Sequence, residues 1–370
     1  MTYITSNKWM RAAYGQALRK YFSDNTNPLI LIDFGGLQVF DAATVDTNIL
    51  ILQKAKNKNE TLTCVINKQL NNLSLLSDYF RQFAIQGTPL TENSWVILNK
   101  SESSIKQKIE RLGTPLKDWG VSINYGIKTG FNEAFIINTQ QRNELLEKSP
   151  EADKIIRPIL RGRNIKKFCA ELDDNWIINS HNGMRKSNIK RIDVKKDYPQ
   201  IYEHLEAYKD KLETRLDKGS HWTNLRNCAY LEDLDKEKIV WIELTDSPNF
   251  YLDNKGYFIN NTVCFMVGER LPYILSFLNS RLCEWYFTKI AATSGAGTRR
   301  WFKVYVEQIC IPQTVDAKTE NKLAELVSET QIRKKNKLNT KNIEQEIDQE
   351  IFKLFALTDE EISFILNSST

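Results

Sequence analysis

Two glycines, Gly126 and Gly130, bracket Lys128 and Thr129 in the run YGIKTGFNEAF at 125–135, and Asn132 follows closely. Glycine permits backbone conformations and close approaches that a Cβ forbids. Lys128, Thr129 and Asn132 all carry donors suited to phosphate oxygens or to the edges of nucleobases. On local pattern the run equally suits a tight turn between two strands, because the apolar Phe135-Ile136-Ile137 reads as a strand. A second cluster, IIRPILRGRN, holds Arg157, Arg161 and Arg163 around Gly162. Guanidinium forks suit phosphate clamping or bidentate contact with guanine, and also pairing with nearby acids. Arg299 and Arg300, with Lys303, follow the small-residue stretch at 292–298, and Trp301 reads as the anchor of that loop rather than a stacking platform. The run GSHWTNLR at 219–226 offers His221 and Arg226; a lone His more often packs or caps than binds.

Other chemistries lack their residues. The six cysteines show no paired spacing, and with three histidines no metal site is expected. Reduced thiols in apolar contexts fit a cytoplasmic protein. Metal-dependent nucleases need an Asp and then an acidic-x-Lys on an adjacent strand; the DKEK run at 235–238 has no such partner. No Ser-His-Asp set stands out. No apolar run approaches the roughly 18 residues needed to cross a membrane, and the N-terminus has no secretory apolar region. The net charge of +5, from 51 basic and 46 acidic residues, is compatible with nucleic acid but leaves any basic face to be made by folding.

The elements that must position these residues fall into three stretches. Residues 1–100 read as α/β: a helix over 8–22, strands at 28–33, 45–53 and 63–66, a helix near 69–83 and a strand at 94–98. Asp33-Phe34-Gly35-Gly36 reads as a hairpin turn. A helix at 103–112 stops at Gly113, and 113–120 reads as a linker. Residues 121–312 alternate strands with helices. Pro199 and Pro272 open helices, and a hairpin from Phe250 to Phe265 turns at Asp253–Gly256. Residues 316–370 are helical, with Ile343, Ile347, Ile351 and Leu354 on one face and a capping box at Thr358–Glu361. The basic cluster at Arg333–Lys335 and Lys337 reads chiefly as a solvated turn.

The run at 125–138 resembles the opening of the TaqI-like C-terminal specificity domain, the target-recognition domain of adenine-specific DNA methyltransferases and type IIG restriction-modification enzymes. IIRPILRGRNIKKF, WIINSHNG, the stretch 198–226, FINNTVCFMVG, LPYILSFLNSRL and SGAGTRRWFKVYVEQICIP resemble further blocks of that family, in its order, from Tyr125 to Pro312. Residues 1–53 resemble the last part of the methyltransferase catalytic domain that precedes it. The resemblance implies an α/β remnant of a methyltransferase sheet (1–112), a mixed α+β target-recognition domain (113–312) and a C-terminal helical segment (313–370). It also implies double-stranded DNA as partner and S-adenosylmethionine as cofactor of the parent enzyme. Phe40 would then lie where relatives pack an aromatic on a flipped adenine, while its local pattern equally reads as a strand core residue. The family's Asn/Asp-Pro-Pro-aromatic tetrapeptide and its Gly-containing cofactor turn are missing; the chain has no Pro-Pro pair. The expectation is that the chain begins after both motifs, as a truncated piece or a split or mis-started gene product. It should bind no cofactor itself and should be inactive alone. Alternatively it is a separate specificity subunit that completes a catalytic partner chain, or self-associates through its incomplete sheet.

Overall fold

Ile- and Leu-rich runs build the first sheet. The computed structural model describes residues 1–35, 37–40, 45–66, 72–87, 90–92, 94–291 and 300–368. Strands β1 (Thr2–Ser6), β2 (Asn27–Asp33), β3 (Thr47–Gln53), β4 (Leu62–Val65) and β5 (Ile85–Gln86) lie in the order β1-β3-β2-β4-β5. β3 is antiparallel to β1 and β2, as the strand pair at 28–33 and 45–53 predicts, while β2 is parallel to β4. The helix expected over 8–22 is divided: 3-10 turns at Asn7–Met10 and Ala13–Gly15 lead into α1 (Gln16–Asn25). At Gly15 the chain folds against the Trp9 carbonyl, where a Cβ would lie 2.0 Å away. Arg19 fastens this turn by donating to the carbonyls of Trp9 and Ala12 at 2.6 and 2.9 Å. The helix near 69–83 is α2 (Leu76–Phe83). Residues 94–98 form no strand; the buried Trp95 holds them by donating its amide to the Met10 carbonyl at 2.8 Å.

Helix α3 (Lys100–Leu112) opens on a capping box made by Asn99 and Glu102. Residues 113–120, expected as a linker, are tied down instead. β6 (Thr114–Pro115) pairs with the strand at Cys310–Ile311, and Leu116 is buried. Then come β7 (Ser122–Tyr125), the single turn α4 (Asn132–Phe135), β8 (Ile136–Ile137), α5 (Thr139–Lys148), β9 (Ile156–Leu160), β10 (Ile165–Lys166), β11 (Cys169–Ala170) and β12 (Trp176–Ile178). Helices α6 (Val194–Asp197), α7 (Pro199–Glu206) and α8 (Lys209–Thr214) follow, then β13 (Lys238–Ile242), β14 (Phe250–Asp253), β15 (Phe258–Ile259) and β16 (Val263–Val267). Two four-stranded sheets result, β15-β9-β12-β8 and β14-β13-β16-β7, beside the small β10-β11 pair.

Two expectations are corrected here. Phe135 ends a helical turn rather than starting a strand, and the run 126–135 crosses from one sheet to the other. The hairpin from Phe250 to Phe265 does not form, because β13 lies between β14 and β16. The Asp253 carboxylate explains the difference. It accepts from the Lys255 and Tyr257 amides at 2.8 and 2.9 Å and meets the Lys238 ammonium at 2.7 Å, with both side chains fully buried. This ion pair locks β14 to β13 and turns the chain away from β16.

β13 and β16 are apolar on both faces, as a sheet covered on both sides requires. Ile239, Trp241, Cys264 and Met266 point into a core shared with helices, while Val240, Val263, Phe265 and Val267 face the other sheet. The helices on the first face are α9 (Leu271–Leu278) and α10 (Arg281–Phe287), which sequence periodicity joins into one. They break at Asn279, whose amide both donates to and accepts from the Phe250 backbone. The turn α11 (Lys303–Val306) leads to β17 (Cys310–Ile311). α12 (Ala317–Lys335), α13 (Lys341–Leu354) and α14 (Asp359–Asn367) add Leu323, Ile347, Ile351 and Ile365 to the same core. The expected capping box at Thr358–Glu361 is present.

Candidate nucleic-acid interface

The sheets deliver their loops to one end of the molecule. β15 runs parallel to β9, and the Asn260 amide donates to the Leu160 carbonyl at 3.1 Å where both strands finish. A Cβ on Gly162 would touch Ile242, at the end of β13, and Thr262, before β16. At Gly126, after β7, a Cβ would lie 2.0 Å from the Asn260 carbonyl, so only glycine lets the 126–132 loop cross so closely. The loops after β7, β9, β13 and β15 therefore share one edge.

A buried arginine that sequence reasoning passed over organises this edge. Arg215 lies over the Phe135 ring at 4.4 Å and donates to the Thr129 carbonyl and to the carbonyls of Trp222 and Asn224, the latter at 3.1 and 2.6 Å. Burial lowers its pKa to about 10, still cationic at neutral pH. It thereby ties the 126–131 loop to the 215–226 loop. Two residues on, Asp217 bridges Lys128 at 2.8 Å and Arg226 at 3.0 Å. The Lys128 hydrogen bond, aided by the charges of Lys128 and Arg226, holds its carboxyl below the usual range. Two sequence-named cations thus stand side by side on one carboxylate, at half-exposed or exposed positions.

The other named residues divide by partner. Thr129 is buried and donates to the Asn132 side chain at 2.6 Å, so this pair shapes the loop. His221 closes its own turn with Thr223, its ring nitrogen 2.8 Å from the Thr223 hydroxyl, and burial holds its pKa down. Arg157 pairs with Asp235 at 2.6 Å beside the start of β13, away from the shared edge. Arg163 donates twice to Asp173, at 2.9 and 2.6 Å. Arg161 makes no ion pair among the described residues. Arg300 bridges Leu244 after β13, stacks on Phe302 at 5.7 Å, and leaves its Nε buried without a partner among the described residues. Lys303 opens α11 close by. Trp301 is fully buried, stacked on Phe287 with centroids 3.7 Å apart, which makes it an anchor. Arg299, Gly36 and residues 41–44 lie outside the described residues; Phe40 itself is exposed.

A cleft of about 470 Å³ runs between Tyr125–Lys128 and Arg226–Tyr230. Through Asn227, Cys228 and Ala229 it joins a larger groove of about 870 Å³, walled by residues 182–191. That wall carries Arg185, Lys186, Lys190 and Arg191, all exposed and none singled out from sequence. The signal was legible: MRKSNIKRIDVKK at 184–196 holds six cations and one acid. Among the described residues no group of three or more His, Cys, Asp or Glu could hold a metal ion, and no helix is long and apolar enough to cross a membrane.

Residues 157–311 match the TaqI-like C-terminal specificity domain, and residues 1–40 match the Eco57I restriction-modification methylase. The specificity-domain match lies behind the methylase match, in the order that the motifs predict. It is 27% identical over 237 residues to the type II methyltransferase M.MjaIV of Methanocaldococcus jannaschii, across 61% of this chain and 76% of that protein. It is 24% identical over 320 residues to the type II restriction enzyme and methyltransferase RM.Eco57I of Escherichia coli, across 77% of this chain and 32% of that one. Its fold is similar to that of the type IIL restriction-modification enzyme MmeI, solved in complex with DNA, with a TM-score of 0.61 at 11% identity. That match covers 100% of this chain and 49% of MmeI, so the chain spans about half of that structure and a third of the E. coli relative.

Proposed function

We propose that this chain is the DNA sequence-recognition portion of a site-specific adenine DNA methyltransferase or restriction-modification enzyme. The observation that carries the reading is the continuous groove from Lys128 and Arg226 to Arg185–Arg191, set at the edge where four strand ends meet. Lys and Arg along such a groove displace counterions from phosphates and supply affinity, while loop residues at its mouth face base edges. In the whole enzyme S-adenosylmethionine would supply the methyl group. The turn after β2 does not fit that cofactor. The Asp33 carboxylate is occupied by the Asn7 side chain and the Gly35 amide, Phe34 is buried, and antiparallel β3 follows among the described residues where a helix would have to cap the charge. This chain's part is to choose the site, and Phe40 stands exposed to stack on an extruded base. The test is an anisotropy titration of duplex DNA against salt. About six phosphate contacts mean roughly a thousandfold loss of affinity between 50 and 200 mM. Absence of any salt-sensitive binding would sink the reading.

A second reading has its own observation. Tyr3, Ile4, Tyr14, Leu18, Tyr21 and Leu29 are all exposed on the first sheet and its helix. So many exposed large apolar side chains on one segment favour an interface. On this reading the chain is a specificity subunit whose N-terminal sheet docks on a catalytic partner or on itself. Light scattering after size exclusion would show a self-assembly, and a well-behaved monomer at high concentration would argue against this reading.

A further inference from the structure

The hairpin from Gly183 to Ile192 is built to keep its shape. Met184 and Ile189 pair as an antiparallel bridge, exchanging backbone hydrogen bonds at 2.9 and 3.0 Å. Gly183 sits at φ +77°, where a Cβ would meet the Ile189 carbonyl at 2.6 Å. The loop Arg185-Lys186-Ser187-Asn188 turns through a 3-10 segment, and Asn188 closes it in the left-handed region at φ 55°. The stem is rooted: Met184, Ile189 and Ile192 pack on the core behind it. The buried Asn224 side chain donates to the Ser180 and Ile192 carbonyls at 3.2 and 2.9 Å and accepts from Arg191 at 2.9 Å. At the tip the Ser187 hydroxyl donates to Glu232 at 2.6 Å. Arg185, Lys186, Asn188 and Lys190 are exposed, and among the described residues their side chains make no hydrogen bond or ion pair.

That last point separates the hairpin from the arginines that stand out in sequence. Arg157, Arg163 and Arg226 already have a carboxylate, which a nucleic acid would have to displace. The hairpin tip has uncommitted donors on a preorganised turn. Strands pair about 4.8 Å apart, and with its side chains a two-stranded ribbon fills the roughly 12 Å major groove but not the roughly 6 Å minor groove. Arg and Asn are the side chains that contact guanine and adenine edges in pairs of hydrogen bonds there.

We propose that the Gly183–Ile192 hairpin enters the DNA major groove and that Arg185 and Asn188 at its tip determine sequence specificity, while Lys190 and Lys186 hold flanking phosphates. This rests on the reading of the chain as a DNA-recognition portion. The experiment selects duplexes from a random-sequence pool with the full chain, unaltered and as Arg185→Lys, Arg185→Ala/Asn188→Ala and Lys190→Ala. The unaltered chain enriches one motif. Arg185→Lys keeps the charge and the salt dependence but loses discrimination at one base position, by about 10- to 100-fold. Lys190→Ala weakens every duplex alike and lowers the salt slope by about one. Replacing guanine in the motif by 7-deazaguanine, which lacks the N7 acceptor of the major groove, weakens the unaltered chain and leaves Arg185→Ala/Asn188→Ala unaffected. The same motif from both tip variants and the unaltered chain would overturn the assignment while leaving DNA recognition intact. Salt-sensitive binding with no motif enriched by the unaltered chain would instead remove the recognition reading, and the hairpin's role with it.

Discussion

The N-terminal sheet and the paired sheets of the specificity region solve the problem of burial differently. β13 and β16 are covered on both faces, and several polar groups that enter the interior of this region are matched: Lys238 by Asp253, Asn279 by the Phe250 backbone, Asn224 by the Ser180 and Ile192 carbonyls. Among the described residues the N-terminal sheet keeps two small clusters, one around Trp9, Leu31 and Trp95 and one around Phe34 and Cys64. Most of the exposed large apolar side chains among the described residues come from the segment before residue 84. Both regions have ordinary strand sequences, so propensity is not the difference. One region closes its own core, and the other presents an edge strand and apolar surface that solvent covers poorly.

The contrast breaks most forcefully at Lys238. Lys238→Met leaves the Asp253 carboxylate buried and unmatched, which costs about 3 to 5 kcal/mol. The expected outcome is a large fall in melting temperature, with new proteolytic cuts first between residues 238 and 268. If Lys238→Met melts with the parent, the specificity region is not held together by its matched interior.

A smaller effect comes from a carboxyl that this interior tolerates badly. Burial pushes the Asp348 carboxyl up to about 6, against the opposing pull of the Arg281 amide hydrogen bond and the charges of Lys167 and Arg281, with Glu344 adding to the rise. An acid with a folded pKa above its unfolded value binds its proton more tightly in the fold. Stability is then lost as pH rises from about 4 through about 6, and stays lost above that. Asp348→Asn should therefore be the more stable form at pH 8, by up to about 3 kcal/mol, and equal the parent near pH 4. Nearby Glu344 behaves oppositely: burial alone would raise it, but Lys167, Lys334 and Thr340 hold it at about 2, so its contribution is present at neutral pH and lost in acid. Thermal melts across pH for Asp348→Asn decide the matter; a pH-independent difference would refute the assignment.

Asp217 tests the site rather than the core. It occupies Lys128 and Arg226 where a phosphate would otherwise sit. Asp217→Ala should tighten binding to non-specific duplex by a few-fold, most visibly at low salt, because two cations no longer need to leave a carboxylate. Weaker binding would mean that Asp217 positions the pair for DNA instead of competing with it.

Sequence showed the family blocks, the strand pair at 28–33 and 45–53, the helices opened by Pro199 and Pro272, and the final capping box, because each depends on local spacing. It failed where a distant partner decides. Asp253 turns β14 away from β16 through Lys238, and Asn279 splits a continuous apolar stripe through Phe250. Arg157 and Arg163 drew notice by density, yet each meets an acid far along the chain or across a turn. Arg185 and Lys190 passed unnoticed although their run holds six cations and one acid, since nothing local says that Gly183 and Asn224 hold it as a hairpin.

The smallest expected effect on stability is the sharpest test of the open region. Ile4 lies on β1, an edge strand, and Tyr21 is exposed on α1. Neither is in the core, so replacing both by lysine should change stability by less than about 0.5 kcal/mol. Lysine on an edge strand blocks strand-to-strand association, and on an apolar face it makes docking costly. If this surface joins a second copy, Ile4→Lys/Tyr21→Lys shifts the chain to monomer in light scattering while the salt-sensitive DNA binding proposed for the groove stays as before. If the parent chain is already monomeric and the variant gains nothing in solubility, the exposed apolar residues are merely scattered surface. The difference between the two regions would then be one of size alone.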